Sequence, residues 1–254
     1  MKKCRWAMGS IGRIAKRVVK EMRQADTYEI VAICSSNLEK AQKFIDENEL
    51  TEATAYTDIN EILKRDDVDI VYVASPPWLH KEQCCQIMNA GKACLVEKPM
   101  TQNAQDAIEI FECAKKNNVF CAEGIWTNYF PAMKKAKEWM QEGRIGEVVE
   151  VIATFGCPIE TFGNSVNNTN HWGNNLSSGG GSLSQFGCYT VNLAQFVYNQ
   201  LPEKILGVTE TLPREDGADL NSSFIFSYEG ASKHAMLSSS WTARTQSVAR
   251  ISGT

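Results

Sequence analysis

No apolar run in this sequence approaches the ~20 residues that a membrane-spanning helix needs, and no signal-peptide pattern precedes Met1-Lys2-Lys3-Cys4. Basic charge is not in excess. The 26 Lys and Arg residues stand against 30 Asp and Glu, a formal net charge of −4, which leaves no electrostatic footprint for nucleic acid. Histidine is scarce, and His80, His171 and His234 are too dispersed for a metal site. Cysteine is not scarce, but its nine copies are odd in number and contain no C-x-x-C pair. Most sit in apolar stretches, Cys34, Cys94 and Cys121 among them, as buried free thiols do. These absences argue against a membrane protein, a nucleic-acid binder and a disulfide framework, and place the chain in a reducing cytoplasm.

What is present is an alternation. Strands are read at Cys4–Met8, Tyr28–Cys34, Ile70–Ala74, Ala93–Val96 and Phe120–Glu123. Between them helical spacing runs over Ile11–Met22, Leu38–Asn48, Ile59–Lys64, about His80–Asn89 and about Asn103–Lys116. Strands alternating with helices of this length imply a Rossmann-type, doubly wound parallel sheet. After Glu123 the character changes. An aromatic-rich junction from Gly124 to Pro131 leads into an amphipathic helix over Ala132–Glu142, and from Glu147 apolar and polar residues alternate as in a strand with one exposed face. A polar stretch, Asn164–Ser178, reads as a functional loop. The glycine run Gly179–Gly181 precedes a helix ending near Asn199. Ile205–Leu212, Phe224–Tyr228, Ala235–Ser240 and Val248–Ile251 then read as successive antiparallel strands. The expected fold class is therefore α/β, with a dinucleotide-binding domain over residues 1–123. An α+β substrate-binding and dimerisation domain, with a mainly antiparallel open sheet, covers 124–254.

Three motifs carry chemistry. The first strand-to-helix turn, Met8-Gly9-Ser10-Ile11-Gly12-Arg13-Ile14-Ala15, sits where a dinucleotide fingerprint G-x-G-x-x-G/A belongs. Gly12 and Ala15 fit its last two positions, Ser10 occupies the first, and Gly9 lies one residue early. The second strand ends in Cys34-Ser35-Ser36-Asn37, with no acid to read a ribose 2′-hydroxyl. That removes one repulsion against a 2′-phosphate, which Arg13 or Lys40 can reach, so NADP is favoured over NAD. The two serines also suit a plain helix cap. The third motif, Glu97-Lys98-Pro99, follows a buried strand at the sheet edge where ligands bind. Lysine there can donate hydrogen bonds or move a proton. A solvated loop lysine is the bland alternative. Pro76-Pro77-Trp78-Leu79-His80 follows the preceding strand at the same edge. Its prolines stiffen a loop able to pack on a base, and His80 reads as the first polar residue of a helix.

Together these residues resemble the Gfo/Idh/MocA oxidoreductases over essentially the whole chain. Glu123–Pro131 and the Gly-Cys-Tyr ending at Tyr189 resemble the dihydrodiol dehydrogenase and NADP-dependent D-xylose dehydrogenase branch. The resemblance implies that Lys98 is the cofactor-positioning and catalytic lysine and Tyr189 the general acid/base. It also implies that Ser10, Ile11, Gly12, Arg13 and Ile14 form the phosphate loop, with Ser35, Ser36, Pro76, His80 and Glu97 around the cofactor. Trp126, Asn128, His171 and Trp172 are candidates to orient substrate, and for His171 and Trp172 a surface histidine and a packed aromatic stand as the equal alternative. Three departures stand out. Gln185 replaces the aspartate four residues before the tyrosine, and cannot act as a base. Asn128 replaces an arginine of the branch. The chain also stops at Ser252-Gly253-Thr254, where relatives continue, so it reads as truncated, with a sheet edge to cover.

The expected function is hydride transfer between nicotinamide and a CH–OH carbon of a sugar, polyol or cyclic diol, with no metal. Tyr189 takes the hydroxyl proton and Gln185 orients the substrate. A tyrosine near its ordinary pKa of ~10 is a poor base at neutral pH, so Lys98 must assist it. The alternative is a non-catalytic dinucleotide-binding sensor, favoured by Gln185 and the short carboxyl end and opposed by Lys98 and Tyr189. A homodimer through the second domain's sheet is expected, because that sheet lacks covering helices on one face.

Overall fold

The computed structural model describes residues 3–254. The chain divides into two compact units, the first ending at Gly124 and the second running from Ile125 to Thr254.

The first unit alternates strand and helix throughout. Its elements are β1 (Cys4–Met8), α1 (Arg13–Met22), β2 (Tyr28–Cys34), α2 (Leu38–Glu47), β3 (Thr54–Tyr56), α3 (Ile59–Leu63), β4 (Ile70–Val73), α4 (Pro77–Asn89), β5 (Ala93–Val96), α5 (Ala104–Asn117) and β6 (Cys121–Glu123). The strands pair in parallel in the order β3-β2-β1-β4-β5-β6. All four residues of β4 are buried, as a strand with helices on both faces requires. One face packs Met8, Ile33 and Tyr72 against Ala15 and Val19 of α1 and Phe44 of α2. The other packs Ala7, Val31 and Val71 against Ile62, Ile87 and Ile110 of α3, α4 and α5. The strand order reverses between β1 and β4, which opens a crevice at their carboxyl ends. Two details differ from the sequence reading. β3 was not expected, since Thr54-Ala55-Tyr56 is a three-residue edge strand without an apolar run. α4 begins at Pro77 rather than near His80, because proline fits the first helical position with no hydrogen bond to lose.

The second unit holds a short helix at Trp126–Tyr129, α6 (Pro131–Gln141), β7 (Val148–Gly156), a π-helix at Leu183–Gly187, α7 (Cys188–Tyr198), β8 (Lys204–Thr211), β9 (Asp219–Tyr228), β10 (Lys233–Ser240) and β11 (Ala249–Gly253). The sheet order is β11-β7-β10-β9-β8. One face packs Val151, Ala153, Phe226, Ala235 and Leu237 against Leu193 and Ala194 of α7. The sheet is mixed, since β10 lies parallel to β7 and the other pairs are antiparallel. Alternation along a strand fixes its faces but not its neighbour's direction. The chain crosses over through α7 before β10 returns beside β7, and such a crossover yields a parallel pair. β11 pairs along β7, and Thr254 N–H donates to Glu147 O at 3.0 Å. The truncation expected from the sequence gains no support from this arrangement.

Among the described residues no helix is long and apolar enough to cross a membrane, and no group of three or more His, Cys, Asp or Glu side chains could hold a metal ion. The cysteines are free thiols.

Candidate active site

In the first unit the turn after β1 is built by close approach. Gly9 N–H donates to Tyr72 O at 2.8 Å. A Cβ on Gly9 would lie 3.1 Å from both Tyr72 O and Val71 Cγ1, so this glycine seats β1 against β4. Ser10 Oγ accepts the Ala74 N–H at 3.1 Å, tying the turn to the end of β4. Gly12 then precedes α1 in an extended conformation, and no side chain caps the helix. A Cβ on Gly12 would meet nothing within 4 Å. Open space thus lies before uncapped backbone N–H groups, which suits a pyrophosphate. Arg13 and Ile14 open the helix, both exposed.

A cavity of about 580 Å³ lies along this edge, lined by Ser10, Ile11, Ser35, Ser36 and Pro76 of the sequence-predicted residues. Asp58 lines it as well, and sequence reading missed it. Ser35 N–H donates to Tyr56 O at 3.1 Å, so β3 delivers Asp58 to the mouth that Ser35 and Ser36 share. Asp58 Oδ1 accepts Asn60 N–H at 2.9 Å and Asn60 Nδ2 at 2.8 Å, capping α3. The Cys34 thiol is pushed up to about 11 by burial and, secondarily, by the Asp58 charge. The serines do not cap α2; Asn37 does, accepting Lys40 N–H at 3.0 Å.

His80 is placed differently from its expected cofactor role. It is 1% exposed and is not among the residues lining the cavity. Its Nε2 lies 2.7 Å from Ser75 O, and its Nδ1 lies 3.2 Å from Pro99 O and 3.1 Å from Met100 O. The imidazole therefore ties α4 to the segment just after Lys98. Glu97 is also engaged within the protein: Tyr72 Oη donates to its Oε1 at 2.6 Å, and Lys98 N–H to its Oε2 at 3.1 Å. Glu123 Oε1 accepts Met100 N–H at 2.8 Å. Burial holds the Glu123 carboxyl above its usual range, against the opposing pull of that N–H. Lys98 thus leaves the carboxyl end of β5 in a segment fixed from both sides, by His80 and by Glu97 with Glu123.

In the second unit a cavity of about 340 Å³ has mostly apolar walls, including Trp126, Phe130, Phe155 and Tyr189. Trp126 Nε1 donates to Tyr189 Oη at 2.8 Å. Phe155 meets the Tyr189 ring edge-on, with centroids 5.4 Å apart. Asn128 and Asn192 also line the cavity, and their amides bond reciprocally: Asn128 Nδ2 to Asn192 Oδ1 at 3.2 Å, Asn192 Nδ2 to Asn128 Oδ1 at 2.6 Å. The structure therefore brings Trp126, Asn128 and Tyr189 together. Gln185, His171 and Trp172 are not on this lining. Gln185 sits in the π-helix one turn before Tyr189. His171 Nδ1 accepts Gly173 N–H at 3.2 Å, and its ring lies 5.9 Å from that of Trp172, centroid to centroid. Asp219 anchors the start of the π-helix. Its Oδ2 accepts Ser182 Oγ at 2.6 Å, Leu183 N–H at 2.8 Å and Ser222 Oγ at 2.9 Å.

Residues 5–125 match the GFO_IDH_MocA oxidoreductase family, NAD-binding Rossmann fold, and residues 133–254 match the GFO/IDH/MocA C-terminal domain. The trans-1,2-dihydrobenzene-1,2-diol dehydrogenase of Xenopus laevis is 30% identical over 253 residues, which cover 98% of this chain and 73% of the relative. The chain belongs to the Gfo/Idh/MocA oxidoreductase family. The human dihydrodiol dehydrogenase is 28% identical, with coverage of 98% and 72%. Membership makes the chain an NAD(P)-dependent oxidoreductase. The fold agrees with solved members. An aldose-aldose oxidoreductase from Caulobacter crescentus superposes with a TM-score of 0.87 at 24% identity, covering 99% of this chain and 75% of that one. A 3-ketoreductase from Actinomadura kijaniata, solved with NADP, gives 0.84 at 23% identity, covering 100% and 74%.

Proposed function

We propose that this family member oxidises or reduces a CH–OH carbon of a sugar, polyol or cyclic diol, with Tyr189 exchanging the hydroxyl proton. The observation that carries the reading is a phenol hydroxyl on the wall of a small, mostly apolar cavity. A proton donor or acceptor beside an apolar pocket able to take a ring is what this chemistry needs. The names of the relatives, a dihydrobenzenediol dehydrogenase and an aldose-aldose oxidoreductase, point to the same substrate classes.

A bound dinucleotide supplies the hydride chemistry at nicotinamide C4. The uncapped start of α1 with Gly12 and Arg13 would hold its pyrophosphate, and Ser10, Ile11, Ser35, Ser36 and Pro76 would line the rest of its adenosine half. NADP is the preferred form in this reading, because no acid ends β2 and both Arg13 and Lys40 are exposed. Lys98 would act at the cofactor, with Glu97 and His80 fixing the segment that carries it. Trp126 and Asn128 shape the substrate cavity, and Gln185, His171 and Trp172 take supporting roles near the π-helix and the loop before it. Residues 1–123 form the dinucleotide-binding part and 124–254 the substrate and dimer part.

The dimer would form through the uncovered sheet face. Register places Leu206, Ile225, Met236 and Ile152 in one row across β8, β9, β10 and β7. Leu206 and Ile225 are 55% and 46% exposed. Beside this row Glu150 pairs with Arg250 at 2.8 Å. An apolar row with a charged margin suits a self-complementary interface. The free thiols fit a cytoplasmic protein.

The test is titration with NADPH and NADH followed by nicotinamide fluorescence. Turnover is then assayed on D-xylose and trans-1,2-dihydrobenzene-1,2-diol for the wild type, Lys98→Ala and Tyr189→Phe. Binding in all three with turnover only in the wild type is expected. Undiminished turnover in either variant would overturn the assignment.

A further inference from the structure

The contact between Trp126 and Tyr189 was not foreseen, and it constrains the chemistry of the tyrosine. Indole Nε1–H is a donor only. In the 2.8 Å bond Tyr189 Oη must therefore be the acceptor. A hydrogen bond donated to an oxygen strengthens as that oxygen takes on negative charge, so it favours the deprotonated form.

A second bridge runs beside the first. Asn128 lies two residues after Trp126 in the short helix Trp126–Tyr129, and Asn192 lies three residues after Tyr189 in α7. Their reciprocal amide bonds fasten the short helix to α7 at a second point. Phe130 packs edge-on against the indole, with centroids 4.9 Å apart and planes at 82°, and limits its rotation. Because both amides of the Asn128–Asn192 pair are spent on one another, this pair serves as a brace.

We propose that Trp126 is a positioning residue for Tyr189, holding the phenol oxygen and stabilising its phenolate through the indole N–H, with the Asn128–Asn192 pair keeping the donor in place. This rests on the reading of Tyr189 as the acid/base group. In the oxidative direction the substrate hydroxyl proton passes to the phenolate oxygen. The carbon's hydride leaves to the oxidised dinucleotide, and the C–O bond becomes a carbonyl. Trp126 takes no proton; it sets how readily Tyr189 does.

The experiment needs no known substrate. The ionisation of Tyr189 is followed by near-ultraviolet tyrosinate absorbance, as the difference between the wild type and Tyr189→Phe. The same difference is then taken in the Trp126→Phe background, which keeps an aromatic ring and removes only the donor. The Tyr189 midpoint is expected to rise by about half to one pH unit, the size of one lost, partly exposed hydrogen bond. Asn192→Ala should give a smaller rise in the same direction. An unchanged midpoint in Trp126→Phe would overturn the proposal. On D-xylose or the dihydrobenzenediol, Trp126→Phe should lower kcat about 3–10-fold near neutral pH and recover it at higher pH. An equal loss at every pH, or a change confined to KM, would also overturn it. Full turnover in Tyr189→Phe would instead remove the acid/base reading, whatever the absorbance titration shows.

Discussion

Replacing Ser10 by glycine would bring the first turn closer to the dinucleotide fingerprint, yet the structure says it should weaken both the protein and its cofactor site. Ser10 Oγ is the acceptor for Ala74 N–H at 3.1 Å, in a partly buried position at the end of β4. Losing that acceptor costs about 1 kcal/mol. Glycine adds about 0.4–1 kcal/mol by loosening the unfolded chain. The sum, about 1.5–2 kcal/mol, corresponds to a Tm lower by roughly 3–8 °C for a chain of this size. Ala74 leads directly to Ser75 and Pro76 on the cavity wall, so NADPH affinity should fall with it rather than improve. Scanning calorimetry and fluorescence titration of Ser10→Gly beside the wild type give both numbers. A Tm within about 1 °C of wild type, together with tighter NADPH binding, would refute the reasoning and return Ser10 to the status of a defective fingerprint glycine.

Asp58→Asn keeps the cap on α3, since asparagine caps as well as aspartate, but removes a carboxylate from the cavity. Against a 2′-phosphate several ångströms away that charge is worth about 1 kcal/mol, so the ratio of NADPH to NADH affinity should rise roughly fivefold by titration. His80→Ala empties a site 1% exposed and strands three backbone carbonyls. A loss of about 2–4 kcal/mol in urea unfolding is expected, with kcat falling through the displaced Lys98 segment. Glu123 has a folded-state pKa raised above 4.5, chiefly by burial. The stability it contributes is full below that value and lost as pH rises through the folded one, so Glu123→Gln should flatten the fall of Tm as pH rises above about 4.5. Ile225→Glu should shift the solution-scattering mass from dimer to monomer; a monomeric wild type would refute the interface.

Much of the first unit was legible because a buried parallel strand announces itself as an apolar run and its helix as a 3.6-residue period. Ile70–Val73 and Ala93–Val96 are such runs, and the turn residues between them punctuate cleanly. What escaped were effects of tertiary placement. Nothing local in Thr54-Ala55-Tyr56 reveals a strand, yet that strand carries Asp58 to the cavity. Ser10 looked like a missing glycine because its bond partner lies 64 residues away. His80 looked like the polar start of a helix because its three carbonyl neighbours come from other segments. Trp126 and Tyr189 were each legible as site residues, but the bond between them, across 63 positions, was not.

The π-helix from Leu183 to Gly187 gives the second unit an unusual sensitivity to length. A π turn holds one residue more than an α turn. Its start is pinned by Asp219, and α7 continues directly from its end. Removing one residue between these points would let the segment close as an ordinary α-helix with everything beyond it still facing the same way. Closing the π turn as an α turn with no residue removed would instead turn everything beyond it by about 100° around the axis. Tyr189 would then leave its cavity wall with every one of its chemical neighbours still encoded. The direction in which this tyrosine points is thus written in the match between the kind of turn and the count of residues, and one deletion across 183–187 should be tolerated where a second is not.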